Sequence, residues 1–279
     1  MKITGWPGIV LILTPEKRFK ASDIASILHR QKGGGFDLFV VACPKAQKIP
    51  EKLKKMVKSV FVTDEDSIGD PLNHILSVTK NPVFAFLTDR VIPTHDHWLK
   101  RICDPILNCN TEAVFGKEIP PLSGNYFLIK DIEKRFHKEG NGVDPKHFSI
   151  NNCALARPTL ARRWFPEKSV FDPAAYWVNA HSMTAVYQPE AIVTRNADDS
   201  LKEIYSRYRH LGADRAAAGV RIAFWETADR IAADTVKDIR LSLSMKKPHH
   251  AWYPPLYRSA MHLGYYLGQR GAAVKNEKS

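Results

Sequence analysis

Short apolar runs alternate along the first two thirds of the chain with stretches in which apolar residues return every three or four positions. Ile9 to Leu13 is a continuous apolar run closed by Thr14-Pro15, the pattern of a strand covered on both faces in a parallel sheet. A helix is predicted next: Ser22-Asp23 offers an N-cap, Ile24, Ile27 and Leu28 supply one apolar face, and Gly33-Gly34-Gly35 ends it. Phe36 to Val41 is then a second strand, so strand, helix and strand follow in the order of a right-handed parallel crossover. The alternation continues with a short strand at Val60 to Val62, a helix from Asp70 to Lys80 whose apolar side carries Leu72, Ile75 and Leu76 and extends toward Val78, and a third buried strand at Val83 to Leu87. Further on, Trp98 to Leu107 reads as helix and Ala113 to Phe115 as strand. Pro120 to Asp144, with Gly124, Gly140 and Gly142, is of mixed composition with room for a mobile loop. Phe148 to Ala156 is predicted as strand, Leu160 to Trp164 and Pro173 to Ala180 as helices, and Tyr187 to Val193 as the strand that closes the sheet. Beyond Ser200 only helical periodicity remains.

This order predicts an α/β fold with a mostly parallel central sheet, flanking helices and a helical carboxyl-terminal extension. Its most informative point is Thr88-Asp89-Arg90, directly after the third buried run. Open parallel sheets bind ligands beyond the carboxyl ends of their strands, so polar residues there stand where chemistry is done. The other reading is a strand-terminating turn.

Composition narrows the partners. Among 279 residues, 44% are hydrophobic and 25% charged, the balance of an ordinary globular protein. The formal net charge of +12 calls for an anionic partner: nucleic acid, acidic lipid head groups or a phosphorylated substrate. No zinc-finger, helix-turn-helix or aromatic RNA-binding signature accompanies the basic residues, so no nucleic acid is expected. The apolar runs fall well short of the roughly 20 residues of a spanning helix, and the start of the chain lacks a signal-peptide pattern, so a cytoplasmic location is expected. Cys43, Cys103, Cys109 and Cys153 are scattered without metal-type spacing and read as reduced thiols. From His249 to Lys278, Trp252, Tyr253, Leu256, Tyr257, Leu263, Tyr265, Tyr266 and Leu267 are interspersed with Arg258 and Arg270. That composition fits either an interfacial helix on anionic lipid or a packed terminal helix.

The stretch FAFLTDRVIPTHDHWLKRICDPI, preceded by the helix around Leu72 to Leu76, resembles family 2 glycosyltransferases, particularly the bacterial rhamnosyltransferase-like group. AVFGKEIPP, FSINNCALARPTL, VYQPEAIVTRNADDSLKEIYSRYRHLGADRA and LYRSAMHLGYYLGQR resemble further blocks of that family in the same order, so the likeness runs along nearly the whole chain. It implies a GT-A fold, Rossmann-like, over residues 1–215, with a helical extension over 216–279 facing a membrane or a partner. It also implies inverting transfer of a sugar from a nucleotide-diphosphate donor to a glycan or a lipid- or protein-linked acceptor, in assembly of a bacterial surface polysaccharide or glycan. The location implied is cytoplasmic, peripheral at the inner membrane face.

Such chemistry has two requirements: stabilising charge on the departing diphosphate and taking a proton from the acceptor hydroxyl. The family meets the first with acids after the strand and a later histidine that hold a divalent metal; here those positions read Asp89-Arg90 and Arg195. The resemblance therefore implies a degraded site for Mg2+ or Mn2+, with Asp89 as its one remaining ligand. Arg90 and Arg195 are expected to bind the diphosphate directly, because guanidinium matches phosphate oxygens in a bidentate way. The alternative for each is a solvated or salt-bridged surface residue. Where the family keeps its catalytic acids, Pro173 and Ala174 stand, leaving Asp172 as a displaced base or as the N-cap before Pro173. Val40-Val41-Ala42-Cys43-Pro44-Lys45 lacks the acids that grip base or ribose, so the donor pocket falls to Thr14 and neighbouring backbone, and Lys45 is either a phosphate contact or a solvated lysine. Asn151 and Asn152 are candidates for binding acceptor hydroxyls or for buried amides bonded to backbone. His95, Asp96 and His97 read as metal ligands or as the cap of the helix that follows.

Overall fold

A computed structural model describes residues 5–14, 19–43, 46, 48–63, 67–109, 111–122, 124–136, 148–162, 164–165, 185–196, 200–217, 221–246 and 251–276. The elements are β1 (Gly8–Leu13), α1 (Ala21–His29), β2 (Asp37–Ala42), α2 (Glu51–Lys54), β3 (Val57–Val62), α3 (Gly69–Val78), β4 (Val83–Thr88), β5 (Val91–Pro93), α4 (Trp98–Cys109), β6 (Ala113–Ile119), α5 (Tyr126–Arg135), β7 (Asn152–Ala156), α6 (Arg157–Arg162), β8 (Ala185–Arg195), α7 (Leu201–Ala217), α8 (Phe224–Ser244) and α9 (Tyr253–Asn276).

The eight strands form one sheet in the order β3-β2-β1-β4-β7-β6-β8-β5. The first four are mutually parallel, β7 runs antiparallel to both β4 and β6, and β8 is parallel to β6. Every residue of β1 and β4 is buried, which is why their sequences are continuous apolar runs instead of alternating ones. Ile9, Leu11, Val83, Ala85 and Leu87 pack with Ile24 and Leu28 of α1 and with Trp98, Ile102 and Ile106 of α4 in one core. Because Ile12 pairs with both Val41 and Thr88, the carboxyl ends of β1, β2 and β4 finish level. Thr14, Cys43 and Asp89 follow at a single edge.

The structure corrects two sequence expectations and adds elements that were not foreseen. Helix α1 begins at Ala21 with Lys20 at the N-cap and no side-chain cap, so Ser22 and Asp23 lie inside its first turn. There the Asp23 charge meets the positive end of the helix. The stretch of mixed composition from Pro120 contains α5, started by Asn125, whose Oδ1 accepts from Phe127 N–H and Leu128 N–H, and anchored by buried Phe127, Leu128 and Ile132. Residues 137–147 lie outside the described ones. Strand β7 begins at Asn152 and not at Phe148, because Asn152 N–H bonds back to Ser149 O in a turn. The short β5 and α2 were not expected: each is below the length at which periodicity reads. The predicted helix Pro173 to Ala180 falls outside the described residues.

The chain divides into two compact units, Met1–Leu122 with Ile129–Ala197, and Ser123–Leu128 with Asp198–Ser279. In the second, α7 and α9 touch backbone to backbone. A Cβ on Gly212 would stand 2.0 Å from Tyr265 O, one on Gly264 2.6 Å from Tyr205 O and one on Gly268 1.9 Å from Arg209 O. Tyr257 and Met261 of α9 are buried, and Arg258 pairs with Asp238. These residues fit the packed-helix reading of the tail, whereas Trp252, Leu256 and Leu267 are exposed. Among the described residues, no helix is long and apolar enough to cross a membrane.

Candidate functional site

The carboxyl edge of β1 and β4 is organised by Asp89, whose side chain is fully buried. Its Oδ1 accepts from the Thr14 hydroxyl at 2.7 Å and its Oδ2 from Thr14 N–H at 3.1 Å. Its own N–H donates to Ile12 O at 3.0 Å and its carbonyl accepts from Phe19 N–H at 2.9 Å. Thr14 and Asp89, both expected at the donor pocket, thus form one rigid unit joining two strand ends. Thr88 extends it: its hydroxyl donates to Asn151 Oδ1 at 2.7 Å and accepts from Arg90 N–H at 3.3 Å.

Arg90 and Arg195 are brought together through the backbone. Strand β5 pairs with the end of β8, with Val91 opposite Arg195, and Asn196 N–H donates to Arg90 O at 3.0 Å. Both arginine side chains are buried, so neither is a solvated surface residue. Arg195 is salt-bridged: its guanidinium lies 3.0 Å from Glu118 Oε2, with side-chain exposures of 7% and 3%. Its Nε, also buried, has no hydrogen-bond partner. Glu118 therefore satisfies only part of the Arg195 guanidinium.

Sequence reasoning missed Glu118. It sits within AVFGKEIPP, where its acidic side chain interrupts an otherwise apolar strand next to Lys117, and that interruption was the available signal.

Asn152 is occupied within the core. Its Oδ1 accepts from Trp98 Nε1–H at 2.9 Å, and its Nδ2 donates to Ala191 O at 2.9 Å and Lys117 O at 3.2 Å. The pairing of β6 with β8 shifts register between Gly116 and Lys117, passing from Gln188 to Ile192, and the Asn152 amide bridges that irregularity. Gly116 is required there, since a Cβ would stand 2.1 Å from Ala191 O. Asn151 lies at the sheet edge beside Thr88 instead.

His95 and His97 lie before α4. His95 Nδ1 accepts from His97 N–H at 3.2 Å while Nε2 lies 2.8 Å from Glu190 O, a pattern that a neutral ring with its proton on Nε2 satisfies. His95 O in turn accepts from Trp98 N–H at 3.3 Å. Together with Arg101, Lys117, Glu190 and Ile192 these histidines line an open cleft of about 520 Å³. Asp96 O accepts from Lys32 N–H at 2.6 Å. On β8, burial pushes the Tyr187 phenol up to about 12, and on α4 burial, reinforced by Asp104, pushes the Cys103 thiol well above its usual range. Both stay protonated at neutral pH.

Among the described residues, this edge offers a divalent cation few uncommitted oxygens. Such an ion takes several oxygen ligands, but both Asp89 oxygens are engaged by Thr14 and Glu118 is held by Arg195. Among the described residues, no group of three or more His, Cys, Asp or Glu comes together as a metal site. Asp172, Lys45 and Pro15 lie outside the described residues.

No protein-family model matches the sequence, and no curated protein matches it either. The fold does have solved counterparts. A mannosyltransferase from Pyrobaculum calidifontis, PcManGT, in complex with GDP-Man and Mn2+, is similar over 97% of this chain and 86% of its own, with TM-score 0.61 and 13% identity. S. aureus TarS 1-349 in complex with UDP-GlcNAc is similar over 97% and 92%, with TM-score 0.54 and 11% identity. Glucosyl-3-phosphoglycerate synthase from Mycobacterium tuberculosis, in complex with Mn2+, UDP and phosphoglyceric acid, is similar over 78% and 80%, with TM-score 0.52 and 14% identity. The curled, mostly parallel sheet with its flanking helices is the GT-A fold of these nucleotide-sugar-binding proteins, followed here by a helical carboxyl-terminal region.

Proposed function

We propose that this chain is an inverting glycosyltransferase that moves a sugar from a nucleotide-diphosphate donor to a glycan or a lipid- or protein-linked acceptor, without a divalent metal, in bacterial surface polysaccharide or glycan assembly. The observation that carries the reading is the juxtaposition of Arg90, in the turn after Asp89, and Arg195, at the end of the strand paired with β5, with Arg195 Nε buried and unpartnered. In this reading residues 1–215 form the transferase part. Thr14 and Asp89 shape the donor pocket, and the two guanidiniums take the negative charge that builds on the diphosphate as the anomeric bond breaks. Fixed charge in a water-poor site needs no reorganisation during the reaction. The acceptor oxygen forms the new anomeric bond from the opposite face and its proton passes to Asp172. Asn151 orients the acceptor, while Asn152 stays with the core. The extension over 216–279 holds the enzyme at the anionic inner face of the membrane, where a lipid-linked acceptor is presented.

A second reading has its own support: a GT-A domain without catalysis, binding a nucleotide, a glycan or a partner enzyme. Glu118 already neutralises part of Arg195, and the Asp89 carboxylate is fully engaged.

Release of nucleoside diphosphate from a panel of UDP-, GDP- and dTDP-sugars, measured in EDTA with membrane extract as acceptor, separates the two. Release that survives EDTA and falls in Asp172→Asn supports the transferase. Tight nucleotide binding without release supports the second reading, and neither binding nor release rejects both.

A further inference from the structure

Helix α8 is inverted relative to an ordinary surface helix. The residues it buries are polar, Thr227, Asp238 and Ser242, while Trp225 is 76% exposed, Leu243 55% and Val236 48%. With Ala232 and half-buried Ile239, these form a series with steps of seven, four, three and four residues, one continuous stripe along the helix. Scattered exposed apolar residues are normal, but an aligned stripe with a tryptophan at one end marks a surface that meets something apolar. Phe224, packed edge-on against Trp225, widens that end.

The charges around the stripe indicate what it meets. Lys237, Arg240 and Lys246 are exposed on or just beyond α8. On the same exposed side stand Asp229 and Glu226, and Glu226 is tied to Arg230 at 2.7 Å. The whole chain carries +12. An apolar stripe bordered by lysine and arginine, on a helix unable to span a bilayer, complements the boundary between anionic head groups and acyl chains.

We propose that α8 lies along an anionic bilayer surface, with Trp225, Val236 and Leu243 inserted among the acyl chains and Lys237 and Arg240 at head-group level. This rests on the membrane-facing part of the proposed function and deepens it, because it assigns the contact to α8. The aromatic segment of α9 is the sequence's more conspicuous candidate, but its Tyr257 and Arg258 are buried within the helical unit.

The test is flotation of the full chain with phosphatidylglycerol-containing vesicles against pure phosphatidylcholine vesicles. Wild type is expected to float with the anionic vesicles only. Trp225→Ser combined with Leu243→Ser is expected to weaken binding about tenfold or more, the scale of two lost apolar insertions, and Trp252→Ser with Leu256→Ser to change it little. Brominated lipid should quench tryptophan fluorescence in wild type, with the quenched fraction reduced in Trp225→Phe. All these positions are exposed, and circular dichroism verifies folding. If wild type floats and the Trp225/Leu243 variant floats equally well, the α8 assignment is overturned while membrane association stands. If wild type does not float, both fall. If the same variant instead converts a dimer to a monomer in sedimentation, the stripe is a contact between two copies of the chain and the proposal is overturned.

Discussion

Among the described residues, two buried arginine–carboxylate pairs differ in what surrounds them. Arg258 and Asp238, 2.7 Å apart and each 8% exposed, lie between α8 and α9. There Arg258 Nε donates to Asp238, a second nitrogen reaches Met261 Sδ at 3.6 Å and the guanidinium sits over the Tyr257 ring. Arg195 and Glu118 are comparably buried at 3.0 Å, but they stand at the carboxyl edge of the sheet, beside Arg90, with Arg195 Nε unpartnered. Burial and pairing alone therefore do not distinguish the two arginines; what differs is the unpartnered Nε and the place at the carboxyl edge of the sheet.

The largest expected effects break this comparison directly. Arg258→Met and Arg195→Met each strand a buried carboxylate and should lower stability by about 3–5 kcal/mol in urea unfolding. The comparison predicts a difference in ligand response: Arg258→Met keeps the rise in Tm given by a nucleoside diphosphate, whereas Arg195→Met, or the milder Arg195→Lys, loses it. Equal retention in both would remove the distinction. Next, Gly268→Ala places a Cβ against Arg209 O and should destabilise the helical unit by about 3 kcal/mol, read as early loss of its amide-exchange protection. Smaller again, Trp98→Phe removes the donor to Asn152 Oδ1 and should lower stability by about 1–2 kcal/mol.

The smallest effects are pH dependences. Burial chiefly, with Arg258 and Arg230 and against the pull of Asp234, holds the His262 imidazole below its usual 6.5. The unfolded chain then binds the proton more readily, so this contribution to stability is complete above pH 6.5 and is lost as pH falls through the folded value. At Asp37, burial works upward, but hydrogen bonds from Asn81 and Lys58 prevail and hold the carboxyl below 3.8. Its contribution is present above that value and lost in stronger acid. Urea midpoints measured across pH should show the upper loss in wild type and not in His262→Gln.

The framework was legible because β1 and β4 are buried on both faces, which forces Ile9 to Leu13 and Val83 to Leu87 to be uninterrupted apolar runs. The edge residues Thr14 and Asp89 followed from where those runs stop. What escaped has physical causes. Strand β5 has three residues and no room for a period, and Asn125 starts α5 inside a segment of mixed composition. Glu118 could be noticed as a charge in an apolar strand, but its partner Arg195 lies 77 residues on, a pairing that only the β6–β8 register creates. Similarly, the α8 stripe is ordinary amphipathic periodicity until the fold shows that its polar side is the buried one.

The central claim is that fixed guanidinium charge at the sheet edge takes the place of a metal in holding a nucleoside diphosphate. Its most direct test is the Tm of the full chain with UDP, GDP and dTDP in EDTA and again with Mn2+, since a ligand that binds only the folded state raises the midpoint. The account predicts a rise of several degrees with at least one of them in EDTA, unchanged by Mn2+ and lost in Arg195→Lys. A rise that needs Mn2+ and persists in Arg90→Lys and Arg195→Lys would contradict it.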